Sequence, residues 1–249
     1  MNPINQVSLK IWGDYACFSR AEFKVERVSY PLITPSAARG VLEAVFWKPE
    51  FRYQIREIGV LKLGSQITIL RNELSDVQGR NPIRIEDKRQ QRFSLVLKDV
   101  EYLIRAEIVL RPHVENSAIH KYHDQFQRAA GRGQCHHTPY LGTREFAAWF
   151  ALPDGDEQVH PVDMDLGSML FDIAFVEDPH RKELQFMKRD GDGSTVAWGY
   201  AWPLFFNARL ERGRMTVPKD KYAELCVLEE KGGESSAPRA GGDGQEARG

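Results

Sequence analysis

The chain has 249 residues, enough for one large domain or two small ones around a real core. Lys and Arg number 34 against 35 Asp and Glu, a net charge of −1 that excludes a histone-like basic wrapper and an acidic disordered chain but allows local basic patches. Cys17, Cys135 and Cys226 are too scattered for a disulfide framework, and no signal peptide or run of about 18 apolar residues is present, so a cytoplasmic protein with no membrane partner is expected.

In chain order, VSLKIWGDYACF opens with Val7, Leu9 and Ile11 alternating against Ser8, Lys10 and Trp12, the pattern of a half-buried strand. A polar stretch over 19–29 leads to YPLITPS, where Thr34 is an N-cap and Pro35 takes the first helical position. The helix PSAARGVLEAVFW carries Ala38, Val41, Leu42, Val45 and Phe46 on one apolar stripe and is stopped by Pro49. FRYQIREIGVL then reads as a strand, with Phe51, Tyr53 and Ile55 on one side. Residues 63–98 hold one short apolar run, QITIL, and a polar, partly basic stretch, taken together as an inserted hairpin. EYLIRAEIVLR is a strong strand with Tyr102, Ile104, Ala106, Ile108 and Leu110 aligned. A second helix is expected over 118–131, ended by Gly131 and Gly133, followed by a strand in TREFAAWFALPD.

This succession of β, α, β, hairpin, β, α and β is the split βαβ, ferredoxin-like (RRM-like) plan. It predicts an α+β protein with a ferredoxin-like domain over 1–152. From Pro153 onward, short β runs such as MLFDIAFVE, LQFMKRD and TVAWGYAW separated by DGD and GDG turns predict a small antiparallel β domain over 153–230. The Gly/Ser/Ala-rich tail over 231–249 is expected to be disordered.

Chemistry concentrates in 119–144, IHKYHDQFQRAAGRGQCHHTPYLGTR, which holds His120, His123, His136 and His137 with Lys121, Arg128, Arg132 and Arg144 against a single acid, Asp124. Imidazole exchanges protons near neutral pH, and a cation stabilises charge building on phosphoryl oxygens, so this stretch suits phosphodiester binding and cleavage as well as a plain solvated basic face. RNA supplies its own nucleophile, the 2′-hydroxyl, so neither metal nor cofactor is expected. In a regular helix Lys121 points nearly opposite His123, and the two meet on one phosphate only if the helix begins near residue 122. A zinc alternative would use His120, His123, Cys135 and His136, although no CxxC element is present. A second basic cluster, Arg84, Lys88, Arg89 and Arg92, faces Glu86 and Asp87. Trp12, Tyr15 and Phe18 suit base stacking or the core, with the core favoured for Trp12.

Three segments, IWGDYACFSRAEFKVERVSYPLITPSAARGVLEAVFWKPEF, LKDVEYLIRAEIVLRP and HKYHDQFQRAAGRGQCHHTPYLGTREF, together resemble the Cas-five proteins of subtype I-C CRISPR systems (the Dvulg branch of the RAMP superfamily). The resemblance implies a ferredoxin-like domain followed by a smaller β-rich one. It also implies metal-independent cleavage of CRISPR precursor RNA at the repeat hairpin, giving a 2′,3′-cyclic phosphate. The protein would then stay on the crRNA 5′ handle within a Cascade complex, with the backbone and large subunits as partners.

The family's catalytic Tyr falls on Phe46 here, which lacks the hydroxyl. Its Lys falls on Lys121, and its His on Tyr122, with His123 one residue on. The resemblance thus implies His123 as general acid/base and Lys121 as phosphate stabiliser, supported by Tyr122 or His120. Lys88, Arg89, Arg92, Arg128 and Arg132 are the expected RNA contacts. The alternative is a non-catalytic subunit that holds the 5′ handle. A metal-dependent DNA nuclease would need a clustered carboxylate pair, and none is evident.

Overall fold

A computed structural model describes residues 4–230 other than 24, 25, 76–78, 80, 81, 83, 191 and 192. The tail over 231–249, expected to be disordered, lies outside the described residues. The first strand, β1 (Gln6–Ala16), buries Val7, Leu9 and Ile11 as its alternation requires. Trp12, favoured for the core, is instead half-buried on the other face, with Lys10 Nζ 6.0 Å from its ring. Phe18 is core, at 3% exposure, and Tyr15 is exposed.

After the two-residue β2 (Arg27–Val28) comes α1 (Pro35–Val45). Its Thr34 cap accepts a hydrogen bond from Ala37 N–H at 3.3 Å, satisfying one of the orphan donors of the first turn. The helix closes at Val45, earlier than the apolar stripe suggested. Phe46 is already extended (φ −152°, ψ 127°), as the approach to Pro49 favours.

β3 (Phe51–Lys62) and β4 (Ser65–Leu74) follow, and after the four-residue α2 (Ile85–Lys88) comes a 22-residue strand, β5 (Arg89–Leu110). The stretch over 89–98, read from sequence as part of a polar insertion, is therefore the outer half of β5, paired with β4. α3 (Ala118–Gly131) matches its expected bounds. The strand expected in TREFAAWFALPD shrinks to β6 (Trp149–Ala151), because 143–148 fold into turns and one isolated bridge, Tyr140 to Ala147.

The principal sheet runs β10-β3-β5-β1-β6, antiparallel at every step, with β2 and β4 also pairing to β5. The C-terminal segment contributes a three-stranded antiparallel sheet of β7 (Met164–Glu177), β9 (Gly193–Leu210) and β8 (Leu184–Asp190). β8 and β9 pair antiparallel with Asp190 opposite Gly193, and the GDG turn expected between them falls on 191 and 192, outside the described residues. β10 (Arg214–Thr216) crosses back to the principal sheet, and α4 (Asp220–Glu230), absent from the sequence reading, seats Tyr222 in the core. Ile55 N–H donates to the Tyr222 hydroxyl at 2.6 Å, where β3 departs from regular register between Ile55 and Glu57. The protein is thus α+β with antiparallel sheets, and one continuous core joins Leu9, Leu42, Ile104 and Phe126 to Phe171 and Leu210. Among the described residues no helix is long and apolar enough to cross a membrane.

Candidate active site

The end of α1, the start of β3 and the first turns of α3 meet through aromatic rings. Phe46 stacks on Phe51 with centroids 5.8 Å apart, and Phe51 meets Tyr122 of α3 at 5.2 Å. The Tyr53 hydroxyl donates to the Phe46 carbonyl at 2.8 Å, fixing the backbone where it leaves the helix. Phe46 therefore packs against the core, as its place on the apolar stripe suggested.

Tyr122 is 4% exposed, and Lys121 Nζ sits 5.5 Å from the centre of its ring. Burial pushes the Tyr122 phenol above its ordinary value, and the nearby Glu50 carboxylate adds to the shift. Among the described residues Glu50 Oε2 is itself buried without a hydrogen-bond partner. Sequence reasoning passed over Glu50 and Phe51 as parts of this wall; their position directly after the helix-stopping Pro49 was the available signal.

His123 does not join Lys121. Because α3 starts at Ala118, both residues lie within the regular helix, about 200° apart around its axis. The condition for their convergence, a helix beginning near 122, is not met. His123 Nδ1 lies 3.4 Å from Asp124 Oδ1 instead. His120 is exposed in the first turn, and Arg128 and Arg132 are exposed at the far end of α3.

His136 and His137, which entered the sequence reading only within the basic stretch and the zinc alternative, follow a sharp turn after α3. Gly133 there has φ +63°, and Gln134 N–H donates to Ala129 O at 2.9 Å. The backbone N–H groups of His136 and His137 both donate to the Ala44 carbonyl, at 2.8 and 3.3 Å, beside the end of α1. The zinc set is not assembled: among the described residues no group of three or more His, Cys, Asp or Glu side chains is placed to hold a metal ion.

The second basic cluster straddles α2 and the start of β5. Lys88 and Arg89 are exposed there, whereas Arg92 bonds Gln90 Oε1 at 2.8 Å and lies 3.4 Å from Glu73 Oε2. Across the PYLGTREF segment, Gly142 adopts φ +87° hard against β1, and Cys17 N–H donates to Leu141 O at 3.0 Å.

The chain has clear relatives. Over 225 residues it is 60% identical to a "CRISPR pre-crRNA endoribonuclease Cas5d" of Thermus thermophilus, covering 90% of this chain and 96% of the relative. A protein of the same description from Mannheimia succiniciproducens is 41% identical over 244 residues, covering 88% and 97%. Two solved structures share the fold, each covering 87% of this chain and 93% of its own. One is described as a CRISPR-associated protein (TM-score 0.58, 20% identity), the other as a functionally uncharacterized protein from Streptococcus mutans (TM-score 0.57, 19% identity). Residues 7–218 match the family described as CRISPR-associated protein (Cas_Cas5), and with the two full-length relatives this makes the chain a member of the CRISPR-associated Cas5 family.

Proposed function

We propose that this chain is an endoribonuclease that cuts CRISPR precursor RNA within the repeat, without a metal, and stays on the resulting 5′ handle in a Cascade-type complex. The observation that carries the reading is the 60% identity, over nearly the whole of both chains, to a relative described as a pre-crRNA endoribonuclease. In the reaction the ribose 2′-oxygen bonds to the adjacent phosphorus and the bond from phosphorus to the 5′-oxygen breaks. The 2′-hydroxyl proton passes to a base, and a proton from an acid goes to the departing 5′-oxygen. The products are a 2′,3′-cyclic phosphate and a 5′-hydroxyl.

Lys121 is the phosphate-facing cation of this proposal, held beside the rigid wall of Phe46, Phe51 and Tyr122, with its ammonium directed at the charge developing on phosphoryl oxygens. His123 is the imidazole the family resemblance points to, with Tyr122 and His120 as its neighbours. Its position about 200° from Lys121 lets it serve only a linkage reached from another side of α3. Lys88, Arg89, Arg92, Arg128 and Arg132 are proposed as RNA contacts, and the backbone and large Cascade subunits as protein partners. The strand order β6-β1-β5-β3, with α1 and α3 as the connecting helices, supports a ferredoxin-like plan for residues 1–152, and 153–230 is proposed as the smaller β-rich domain.

The test is incubation of the purified chain with its cognate repeat RNA in EDTA. Scission at one bond is expected, and intact RNA would refute the enzymatic reading. A second reading, a subunit that holds the 5′ handle without cutting, is favoured by the missing hydroxyl at Phe46 and the divergence of Lys121 from His123. It predicts salt-dependent RNA binding with no product.

A further inference from the structure

The geometry points to His136 and His137 as the pair that moves protons during RNA cleavage, one imidazole accepting from the 2′-hydroxyl and the other donating to the 5′-oxygen. This inference rests on the endoribonuclease reading above.

The backbone holds the pair in place while the side chains face solvent. Both N–H groups converge on the Ala44 carbonyl, which lies in the last turn of α1 and has no partner within the helix. Capping that carbonyl fixes two consecutive residues at the end of α1. Both are exposed, with ring centroids 5.9 Å apart and planes at 79°. Among the described residues neither imidazole forms a hydrogen bond or ion pair, whereas His123 lies against Asp124. No structural role therefore occupies these rings.

Their surroundings suit the reaction. Ala44 precedes Phe46 by two residues; Phe46 stacks on Phe51, Phe51 meets Tyr122, and Tyr122 carries Lys121 over its ring. The backbone of the imidazole pair is thus tied to the end of α1, two residues before the ring that opens this aromatic row. In-line displacement places the entering and departing oxygens on opposite sides of one phosphorus. Each catalytic group must come within about 3 Å of its own oxygen. The two imidazoles meet edge to face with centroids 5.9 Å apart, so one phosphodiester lying across the exposed pair can be reached by a nitrogen of each ring. The base starts neutral and the acid starts protonated. After the step one proton has left the 2′-oxygen and one has reached the 5′-oxygen, so the pair ends with its protonation states exchanged and no further reactant is consumed.

The experiment is single-turnover cleavage of the cognate repeat RNA in EDTA by wild type, His136→Gln, His137→Gln and the double variant, with RNA affinity measured in parallel. The double variant should lose about 10²- to 10⁴-fold in rate, the span general acid–base catalysis contributes, with affinity within about threefold of wild type. A second substrate replaces the bridging 5′-oxygen with sulfur, which departs without an acid, and it should restore cleavage by whichever single variant lacks the proton donor. Wild-type rates in the double variant, affinity lost together with rate, or no rescue of either single variant would each overturn the assignment. If wild type itself leaves the RNA intact, it is the endoribonuclease reading that fails.

Discussion

Arg39 of α1 grips Asp172 of β7 through two parallel hydrogen bonds, Nε to Oδ2 and Nη2 to Oδ1, each 2.9 Å long. Asp172 is 4% exposed, and its Oδ1 also accepts from Ile173 N–H at 2.8 Å. Burial alone would lower the Arg39 pKa, but Asp172 and then Glu43 outweigh it, so the guanidinium stays charged where the three-stranded sheet meets the first helix. Removing Asp172 leaves that cation without its buried partner. Asp172→Ala should cost about 3 kcal/mol in urea unfolding, whereas Glu43→Ala, which removes a more exposed contact, should cost about 1 kcal/mol or less. Equal losses would mean that the pair does not clasp α1 to the three-stranded sheet.

Gly142 supplies a sharper steric case. A Cβ built there would lie 2.0 Å from the Cys17 carbonyl oxygen, and the backbone is already at φ +87°. Gly142→Ala should therefore destabilise the fold by at least about 2 kcal/mol, with a lower melting temperature and reduced soluble yield. A melting temperature equal to wild type would show that the loop can lift from β1 without cost.

Acid unfolding has a defined contributor in Glu107. The hydrogen bond from Arg56, 2.7 Å long, is the main cause holding its pKa below the ordinary 4.5; the charges of Arg56 and Lys219 assist, against the opposing effect of burial. A carboxylate whose folded pKa is depressed gives its full stabilisation above the unfolded value and loses it as pH falls through the lower folded value. Glu107→Gln should thus be about 1 kcal/mol less stable than wild type at pH 7, with the gap closing progressively below 4.5. A gap independent of pH would assign the loss to packing.

The elements that sequence made plain are those in which local signals and tertiary packing agree. Thr34 and Pro35 mark the start of α1 and Gly131 closes α3, while Val7, Leu9 and Ile11 alternate as a one-sided strand must. The outer half of β5 was obscured because it opens on the polar run Arg89 to Arg92, where Arg71, Glu73 and Arg92 hold the β4–β5 ribbon by ion pairs and the apolar alternation begins only at Phe93. α4 was missed because its buried side chains, Tyr222 and Leu225, lie among charged residues at both ends of the segment and owe their burial to β7 and β9. In the candidate site the histidine-rich stretch was visible, and the family resemblance pointed within it to the helical His123. Only the return of 134–137 to the Ala44 carbonyl distinguishes His136 and His137 from it.

Lys121 and Phe46 make opposite predictions. Lys121→Ala should lower the cleavage rate about 10²- to 10³-fold, the usual loss on removing one stabiliser of a developing anion, with Lys121→Arg retaining part of the activity. Phe46→Tyr adds a hydroxyl to a ring already held against Phe51, at the position the resemblance assigns to a catalytic Tyr, and should raise the rate severalfold. Single-turnover assays check both. An unchanged rate in Lys121→Ala would remove the ammonium from the site.

The measurement that bears hardest on the whole reading is cleavage of a repeat RNA carrying a single 2′-deoxy nucleotide at the scissile position, in EDTA, beside the all-ribose control. The control should be cut at one bond to a 2′,3′-cyclic phosphate, and the deoxy substrate should bind equally well and remain whole. Scission of the deoxy substrate at the same bond would contradict attack by the ribose hydroxyl and, with it, the chemistry assigned to Lys121 and the histidines.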